Sequence, residues 1–192
     1  MSVKPILFNT EMVKAILEGR KTQTRRLLKP KYRSDEAGFQ IITNANTGKF
    51  VRVEYYDEYG NETRWMPSPC APGDILWVRE TFCDVALGHP WYYKADGDLR
   101  PECWKGERWS PSIHMPKEAA RIFLRVKDVR VERLRNMGYS DLADEGFTSW
   151  ADFVRLWDST IKPEDRNMYG WNANPWVYMI EFERYEKPEV LL

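Results

Sequence analysis

Residues 18–26 read EGRKTQTRR, a polar segment in which basic residues alternate with threonine and glutamine. It follows a predicted helix that begins at the N-cap Thr10, with Glu11 placing negative charge in the first turn. One side of this helix is apolar, formed by Met12, Val13, Ile16 and Leu17. Gly19 ends the helix, because glycine adopts the left-handed conformation at little cost. The pattern predicts that residues 20–26 follow directly after the helix end and begin a strand. These residues include a lysine, two threonines and three arginines.

Strands are predicted over most of the remaining chain. Apolar runs indicate strands at Phe39–Ile42, Phe50–Tyr56, Ile75–Arg79, Trp91–Tyr93, Ala120–Leu134 and Trp176–Tyr185. The Ile75–Arg79 run is apolar enough to be buried on both faces. In Ala120–Leu134 the alternation changes phase, which predicts a β-bulge near Lys127 and Asp128.

Two further helices are predicted near the C-terminal end. Ser140 is a candidate N-cap for a short helix that continues to Ala143. Ser149 caps a longer helix with one apolar stripe, formed by Trp150, Phe153, Val154, Trp157 and Ile161. Because strands outnumber helices and the helices interrupt them rather than alternate with them, we expect an α+β fold, a mixed β-barrel with a few short flanking helices. We expect a single domain over residues 1–192, with long inserts at about 29–70 and 84–118.

The composition excludes several classes of protein. Apolar residues make up 43% of the 192-residue chain and charged residues 30%, which fits a globular protein rather than a disordered or membrane protein. Three widely spaced cysteines and two isolated histidines predict neither a disulfide framework nor a zinc site. We therefore expect a cytoplasmic protein without metal or cofactor. The oligomeric state stays open.

Charge is balanced overall but uneven along the chain. The formal net charge is zero, yet seven Lys and Arg residues occur between residues 20 and 33 before the first acid, Asp35. This run is typical either of a solvated surface or of a local phosphate-binding patch. The negative end of the helix dipole explains Arg20 and Lys21, but not the Thr and Gln residues between the cations. No P-loop, dinucleotide-binding loop, nucleophile elbow or HExxH motif is present.

The segment Gly19–Arg26 after a short helix resembles the signature of ASCH domains, a branch of the PUA-like RNA-binding superfold. The resemblance continues in Gly73–Glu80, in Glu145-Gly146-Phe147 before a helix, and in the final strand Val177–Glu183. Residues 111–116 and 174–176 are similar to a subgroup associated with phages and prophages. The resemblance implies a PUA-like β-barrel with an active cleft and, as its partner, RNA or a modified nucleoside.

The resemblance also implies a reaction centre. In small bacterial ASCH enzymes that deacetylate N4-acetylcytidine, a lysine, a threonine three residues later and a distant glutamate carry the reaction, and these positions match Lys21, Thr24 and Glu145. A threonine hydroxyl is a weak nucleophile unless a base takes its proton, and a free lysine with a pKa of about 10.4 is mostly protonated. Burial or nearby arginines would lower that pKa. In an ideal strand Lys21 and Thr24 point to opposite faces, so they converge only if the chain bends or bulges between them.

Further residues are candidates for contacting substrate or RNA. Those in the basic segment are Arg20, Thr22, Arg25 and Arg26. Trp77 and Arg79 share a strand face suited to stacking a base or contacting a phosphate, although core packing is the favoured explanation for Trp77. Asn174 and Trp176 would close the pocket, although Asn-Pro is also an ordinary turn.

Four functions stay open on these grounds. The first is an amidohydrolase acting on N4-acetylcytidine-like nucleosides, and the second is a non-catalytic RNA-binding module. A metal-independent ribonuclease follows, in which the lysine and arginines would stabilise the phosphorane. A structural phage component ranks last, because it leaves the polar residues of the cleft unexplained. The long inserts set this chain apart from the minimal amidohydrolase form, and shared residues indicate a shared site more securely than a shared substrate.

Overall fold

The computed structural model describes residues 2–29, 38–84, 91–102 and 105–187. Within these ranges the strands are β1 Val3–Leu7, β2 Gln23–Leu27, β3 Gly38–Thr43, β4 Phe50–Tyr56, β5 Glu62–Pro67, β6 Ile75–Arg79, β7 Phe82–Asp84, β8 Trp91–Tyr93, β9 Phe123–Arg133 and β10 Trp176–Tyr185. The α-helices are α1 Thr10–Leu17, α2 Tyr139–Asp144, α3 Trp150–Ser159 and α4 Arg166–Tyr169. The predicted α+β class is confirmed. Lys31, Arg33 and Cys103 lie outside the described residues.

A five-stranded mixed sheet with the order β1-β6-β9-β10-β2 is the centre of the fold. β1 runs parallel to β6, and the other neighbouring pairs are antiparallel. Apolar residues of β1, β6, β9 and β10 form the main core together with Val13 and Ile16 of α1. Among the described residues no backbone ladder joins the edge strands β1 and β2, so the predicted closure into a barrel is not confirmed. The Arg26 side chain bridges these two edges, because its Nη2 donates to the Leu7 carbonyl at 2.6 Å.

The predicted bulge in the long strand β9 is confirmed. Asp128 pairs with Glu181 of β10, whereas Val126 pairs with the next residue, Phe182, so Lys127 is the extra residue. The bulge lets Val126 and Val129 both face the core although they are three residues apart.

For α1 and α2 the N-cap lies one or two residues before the predicted one, whereas the cap of α3 is the predicted one. The N-cap of α1 is Asn9, not Thr10, because the Asn9 side chain accepts a hydrogen bond from the Met12 N–H at 2.9 Å. α2 begins after Gly138 rather than after Ser140, and Asp141 accepts from the Gly138 N–H at 2.8 Å. In both helices the residue in extended conformation before the first turn is the cap. The prediction for Ser149 is confirmed, since it accepts from the Asp152 N–H.

Helix α3 packs its aromatic stripe against the end of β2 and the turns that follow β9. Phe153, Trp157 and Ile161 are buried, and Trp150 and Val154 are partly buried in the same cluster. The predicted core stripe is therefore confirmed. This packing holds α3 beside the edge of β2, where the predicted site residues Thr24 and Arg25 lie.

The two predicted inserts carry strands of their own. β3, β4 and β5 form an antiparallel sheet, and Phe50, Val53 and Tyr55 of β4 join the main core. β5 has little apolar alternation of its own, and it is a strand because it pairs with β4. β7 pairs with β8 in the second insert. In the described ranges, no helix has the length and apolar character that crossing a membrane requires.

Candidate functional site

Lys21 and Glu145 form a buried ion pair. Lys21 precedes β2 and forms an isolated antiparallel bridge with Glu145, the C-cap residue of α2. Its ammonium donates to Glu145 Oε2 at 2.6 Å, to the Glu145 carbonyl at 2.9 Å and to the Gln23 carbonyl at 2.8 Å. The exposed fraction is 0% for the Lys21 side chain and 2% for that of Glu145. All three N–H groups of the ammonium are thus satisfied in a site without exposure to water.

Arg25 holds the second oxygen of the same carboxylate. Its Nη1 donates to Glu145 Oε1 at 3.3 Å, while Nε and Nη2 contact Glu132 and Asp141 at 2.9 Å and 3.0 Å. The side chain is 1% exposed, and its guanidinium makes these contacts in the protein interior. The structure therefore places Arg25 as a support for Glu145 rather than on a surface that a phosphate can reach.

Burial shifts the pKa of Lys21. Desolvation lowers the pKa of Lys21 below its ordinary value of 10.5. The Glu145 carboxylate opposes this shift in pKa, while Arg26 and Arg25 reinforce it. Burial alone would raise the pKa of Asp141, but hydrogen bonds from the Gly138 N–H, Arg25 and Gln23 hold that pKa below its usual range.

Thr24 and Glu145 line the same cavity without a direct hydrogen bond between them. The Thr24 residue is 1% exposed. Thr24 and Glu145 both line a cavity of about 110 Å³ between the edge of β2, α1 and α3. Because Lys21 lies before β2 and pairs with Glu145, the alternation of a continuous strand does not govern the direction of its side chain.

The other residues of the basic segment differ in their surroundings. Arg20 is exposed, and it contacts Glu18 and donates to the Gly146 carbonyl at 3.1 Å. The Thr22 hydroxyl donates to Asp144 at 3.1 Å. Arg26 is half-buried, with its guanidinium 5.0 Å from the centre of the Phe8 ring. No carboxylate of the described residues forms an ion pair with it.

Four predicted contact residues lie away from this site. Trp77 is 8% exposed and belongs to a second core cluster. Arg79 lies 5.4 Å from the Trp77 ring and donates to the carbonyls of Met115 and Ile113, so it anchors the segment that covers that cluster.

Asn174 has a left-handed conformation (φ 49°), and its side chain accepts from the Arg135 N–H. Trp176 lies under the Arg133 guanidinium at 4.3 Å, at the end of the β2–β10 ladder opposite Gln23. The β2–β10 ladder runs from the Val177–Leu27 pair to the Glu181–Gln23 pair. Trp176 lies at the Leu27 end, whereas Lys21 lies at the Gln23 end. The structure therefore does not bring these two residues to Lys21.

Several polar residues of the site were not predicted. Gln23 donates to Asp141 and to Asp144, so the side chain ties β2 to α2. Glu132 reaches the site from β9. A pattern in the sequence does point to α2, because Asp141, Asp144 and Glu145 place three acids in five residues, opposite a segment rich in cations.

A wider depression lies on the other side of the Lys21 segment. Its volume is about 540 Å³, and charged side chains of both signs line it, among them Lys127, Arg130, Asp144 and Glu181. Among the described residues, no group of three or more His, Cys, Asp or Glu side chains has the arrangement of a metal site.

Comparison with known proteins gives limited similarity. No protein-family model and no curated protein matches the chain. Protein EF3133 from Enterococcus faecalis V583, a DUF984 protein, is 11% identical with a TM-score of 0.47, and the match covers 98% of this chain and 83% of that one. Hypothetical protein PH0355 is 15% identical with a TM-score of 0.42, over 96% and 100% of the two chains. Because both TM-scores lie below 0.5, neither similarity supports a conclusion about fold or function.

Proposed function

We propose that this protein is an ASCH-type amidohydrolase that removes the acyl group from the N4 amide of an acylated cytosine nucleoside. In this proposal Thr24 is the nucleophile and Lys21 is the base. Glu145 passes the proton from Thr24 to Lys21. The observation that carries the proposal is the buried contact of 2.6 Å between Lys21 Nζ and Glu145 Oε2, beside a cavity that Glu145 shares with Thr24.

The two backbone carbonyls around Lys21 support its role as a base. A neutral amine keeps two N–H groups, which match the carbonyls of Gln23 and Glu145 at 2.8 Å and 2.9 Å. Its lone pair then faces Glu145 Oε2, from which it can take a proton. The lowered pKa of Lys21 makes this neutral form accessible nearer to neutral pH.

The reaction proceeds in two stages. Thr24 Oγ1 attacks the acyl carbonyl carbon, and its proton passes through the Glu145 carboxylate to the Lys21 amine. The tetrahedral intermediate breaks its C–N bond, and the cytosine amine leaves with that proton returned by the same path. Water then attacks the acyl-threonine ester with proton transfer along the same route. The ester C–O bond breaks, which releases the carboxylic acid and restores the Thr24 hydroxyl.

The internal contacts of the arginines favour this proposal over its alternatives. A non-catalytic RNA-binding module or a ribonuclease needs cations that can reach phosphates. Arg25 is buried among three carboxylates, and Arg20 already pairs with Glu18. Of these three arginines, only Arg26 has no carboxylate partner among the described residues, so they offer one unpaired guanidinium to an anionic group.

The proposal includes three finer assignments. The sheet belongs to a PUA-like barrel, and the bridge from Arg26 to Leu7 across its open edges supports that assignment. The chain belongs with the phage- and prophage-associated ASCH proteins on the motifs at residues 111–116 and 174–176. The protein is cytoplasmic, which agrees with the free thiols of the buried Cys70 and Cys83.

A matched pair of threonine variants tests the proposal. We expect wild-type protein to release cytidine from N4-acetylcytidine, and Thr24→Val to lower kcat/KM by at least roughly 10³-fold because the nucleophile is lost. Thr22→Val is the control, since it removes a hydroxyl that is bonded to Asp144 on the other side of the segment. No turnover by the wild type, or equal loss in both variants, would rule the proposal out. Metal-free cleavage of RNA oligonucleotides would point to a ribonuclease, and salt-sensitive RNA binding without turnover to a binding module.

A further inference from the structure

A further cavity, which we call the edge cavity, lies between the two edge strands of the main sheet. Its volume is about 320 Å³. Residues 4–7 of β1 form one wall, and Arg26 of β2 belongs to the other. Leu76 of β6 and Ile180 of β10, both part of the main core, form an apolar floor between these walls. The edge cavity is therefore the gap between β1 and β2 where the described residues form no ladder.

The backbone of β1 turns polar groups towards this gap. Ser2 and Phe8, at the two ends of β1, bond through their backbones to β6. Because the backbone groups of successive strand residues alternate in direction, the odd-numbered residues Pro5 and Leu7 turn theirs away from β6 and towards the edge cavity. Pro5 has no N–H, which prevents an uninterrupted ladder with β2. Leu7 has an N–H, and its carbonyl accepts from Arg26 Nη2 at 2.6 Å, so this N–H faces the same side as the guanidinium.

Arg26 brings an uncompensated positive charge to the Leu7 end of the edge cavity. A guanidinium has five N–H donors, and the Leu7 carbonyl takes one of them. No carboxylate of the described residues forms an ion pair with Arg26. The Glu145 carboxylate acts on Arg26 electrostatically, but its two oxygens are bound to Lys21 and Arg25. A half-buried cation without a counter-ion is costly, so an anion in the edge cavity supplies a missing partner.

The charge at the opposite end of the edge cavity is compensated within the protein. Lys4 donates to the Pro69 carbonyl at 3.0 Å and pairs with Asp74 at 3.2 Å. Lys4 and Leu7 are both partly exposed, so the edge cavity is reached from the surface along β1. Three strand residues from Lys4 to Leu7 span about 10 Å. The space between the two ends is lined mainly by apolar residues, namely Ile6, Cys70, Leu76 and Ile180.

We propose that the edge cavity is a binding site for a small monocarboxylate with an apolar body. The carboxylate accepts from the Leu7 N–H and from the N–H groups of Arg26 that the Leu7 carbonyl does not use. A guanidinium binds a carboxylate with a planar, two-point geometry, which suits this position. The apolar body lies along Leu76 and Ile180 and extends towards Lys4.

Size and charge define the ligand further. At roughly 30 Å³ for each water-sized group, the edge cavity holds about ten such groups, which is the size of octanoate. One uncompensated cation matches one negative charge, whereas a phosphate dianion would keep a charge without a partner. Arg26 also lines the cavity of Thr24 and Glu145, but its bond to Leu7 holds the guanidinium at the edge cavity. The proposed site therefore goes beyond the proposed hydrolysis and does not depend on it.

Binding of octanoate, measured by isothermal titration calorimetry, tests the charge of the site. We expect saturable binding that is at least roughly tenfold tighter than that of octan-1-ol, which has the same chain without the charge. Arg26→Met should weaken octanoate binding at least roughly tenfold. Arg184→Met is the matched control, because it removes an exposed arginine at the wide depression and should keep the wild-type affinity.

NMR of the ¹⁵N-labelled wild type tests the place of the site. Octanoate should shift the amide resonance of Leu7 and leave that of Gly60, in the turn between β4 and β5, unchanged. Both wild-type measurements stand even if Arg26→Met is unstable.

Several results would overturn the proposal. They are absence of saturable binding, equal affinity for octanoate and octan-1-ol, equal weakening in Arg26→Met and Arg184→Met, or an unchanged Leu7 resonance. Inorganic phosphate that binds as tightly as octanoate would also overturn it, because the apolar body would then contribute nothing. None of these measurements uses turnover of N4-acetylcytidine, so the binding site and the hydrolase can each fail alone.

Discussion

Glu145 Oε2 lies 2.6 Å from Lys21 Nζ in the protein interior, although 124 positions separate the two residues in the chain. The contact joins the C-terminal end of α2 to the residues that precede β2. It forms because Glu145 and Lys21 also pair through their backbones, which places both side chains on the same side of the junction. The stability of the fold, the pKa of Lys21 and the proposed reaction all depend on this contact.

Loss of either member of the pair should be strongly destabilising. Lys21→Met leaves the Glu145 carboxylate buried without its closest cation, and removing one partner of a buried pair costs about 3–5 kcal/mol. We expect this loss in the free energy of unfolding, measured by urea denaturation, for the single variant. The double variant Lys21→Met/Glu145→Gln should recover part of it, because it leaves no buried carboxylate there. Lys14→Met breaks an exposed pair with Glu11 and serves as the control. A single variant as stable as the control would contradict the assigned burial.

The pKa of Lys21 should respond in opposite directions to its two kinds of neighbour. Arg26 lowers this pKa and the Glu145 carboxylate raises it. In the proposed reaction Lys21 must be neutral to act as the base, so the rate of acyl transfer by the wild type should rise with pH through the Lys21 pKa, below the ordinary value of 10.5. Arg26→Met should raise the pKa of Lys21 and Glu145→Gln should lower it. The pKa is read in both variants from NMR of ¹³C-labelled lysine side chains, because Glu145→Gln also removes the carboxylate that relays the proton in the proposed reaction. Shifts of the same sign in both variants would refute this electrostatic account.

Gly146 should be far less tolerant of a side chain than another glycine of similar conformation. Gly146 has φ +87°, and an added Cβ would lie 2.9 Å from Ala15 Cβ and 3.3 Å from Lys21 Cβ. Gly60 has φ +82° with nothing within 4 Å of the same position. Gly60→Ala should therefore cost only the conformational penalty of about 1–2 kcal/mol. Gly146→Ala should lose about 1–3 kcal/mol more, because packed neighbours must move. Thermal or urea unfolding of the two variants gives the difference, and equal losses would mean that α1 is free to adjust.

Asp74 should make stability fall at low pH. Burial alone would raise the pKa of Asp74, but hydrogen bonds from the Ser2 and Ala71 N–H groups and from Lys4 lower it from 3.8 to about 2. Because the folded-state pKa is below the unfolded one, the stabilisation is complete above about pH 4 and disappears as pH falls towards 2. The difference corresponds to about 2 kcal/mol. Unfolding measured at pH 7 and pH 2.5 should show this part of the acid sensitivity in the wild type and its absence in Asp74→Asn. The same pH dependence in both proteins would exclude Asp74 as a cause.

Local patterns in the sequence determine much of the fold. The strands Phe50–Tyr56, Ile75–Arg79 and Trp176–Tyr185 begin and end where the pattern predicts, because alternation and β-branched or aromatic residues are local properties. The phase change that predicts the bulge at Lys127 is also local. β5 has no such pattern, and only its pairing with β4 makes it a strand.

Local patterns in the sequence predict the α+β class, most of the strands and the apolar face of α3, and the resemblance to ASCH domains adds Lys21, Thr24 and Glu145 as candidate site residues. The contacts between polar groups from distant parts of the chain are visible only in the folded protein. Arg25 is buried among three carboxylates, and Trp77 lies in a different core cluster with Arg79 beside it. Asn174 and Trp176 lie at the far end of β2, whereas Gln23, Asp141 and Glu132 contact the candidate site. The physical reason is that periodicity reports which face of an element is apolar, whereas the partner of a buried charge depends on how distant elements pack.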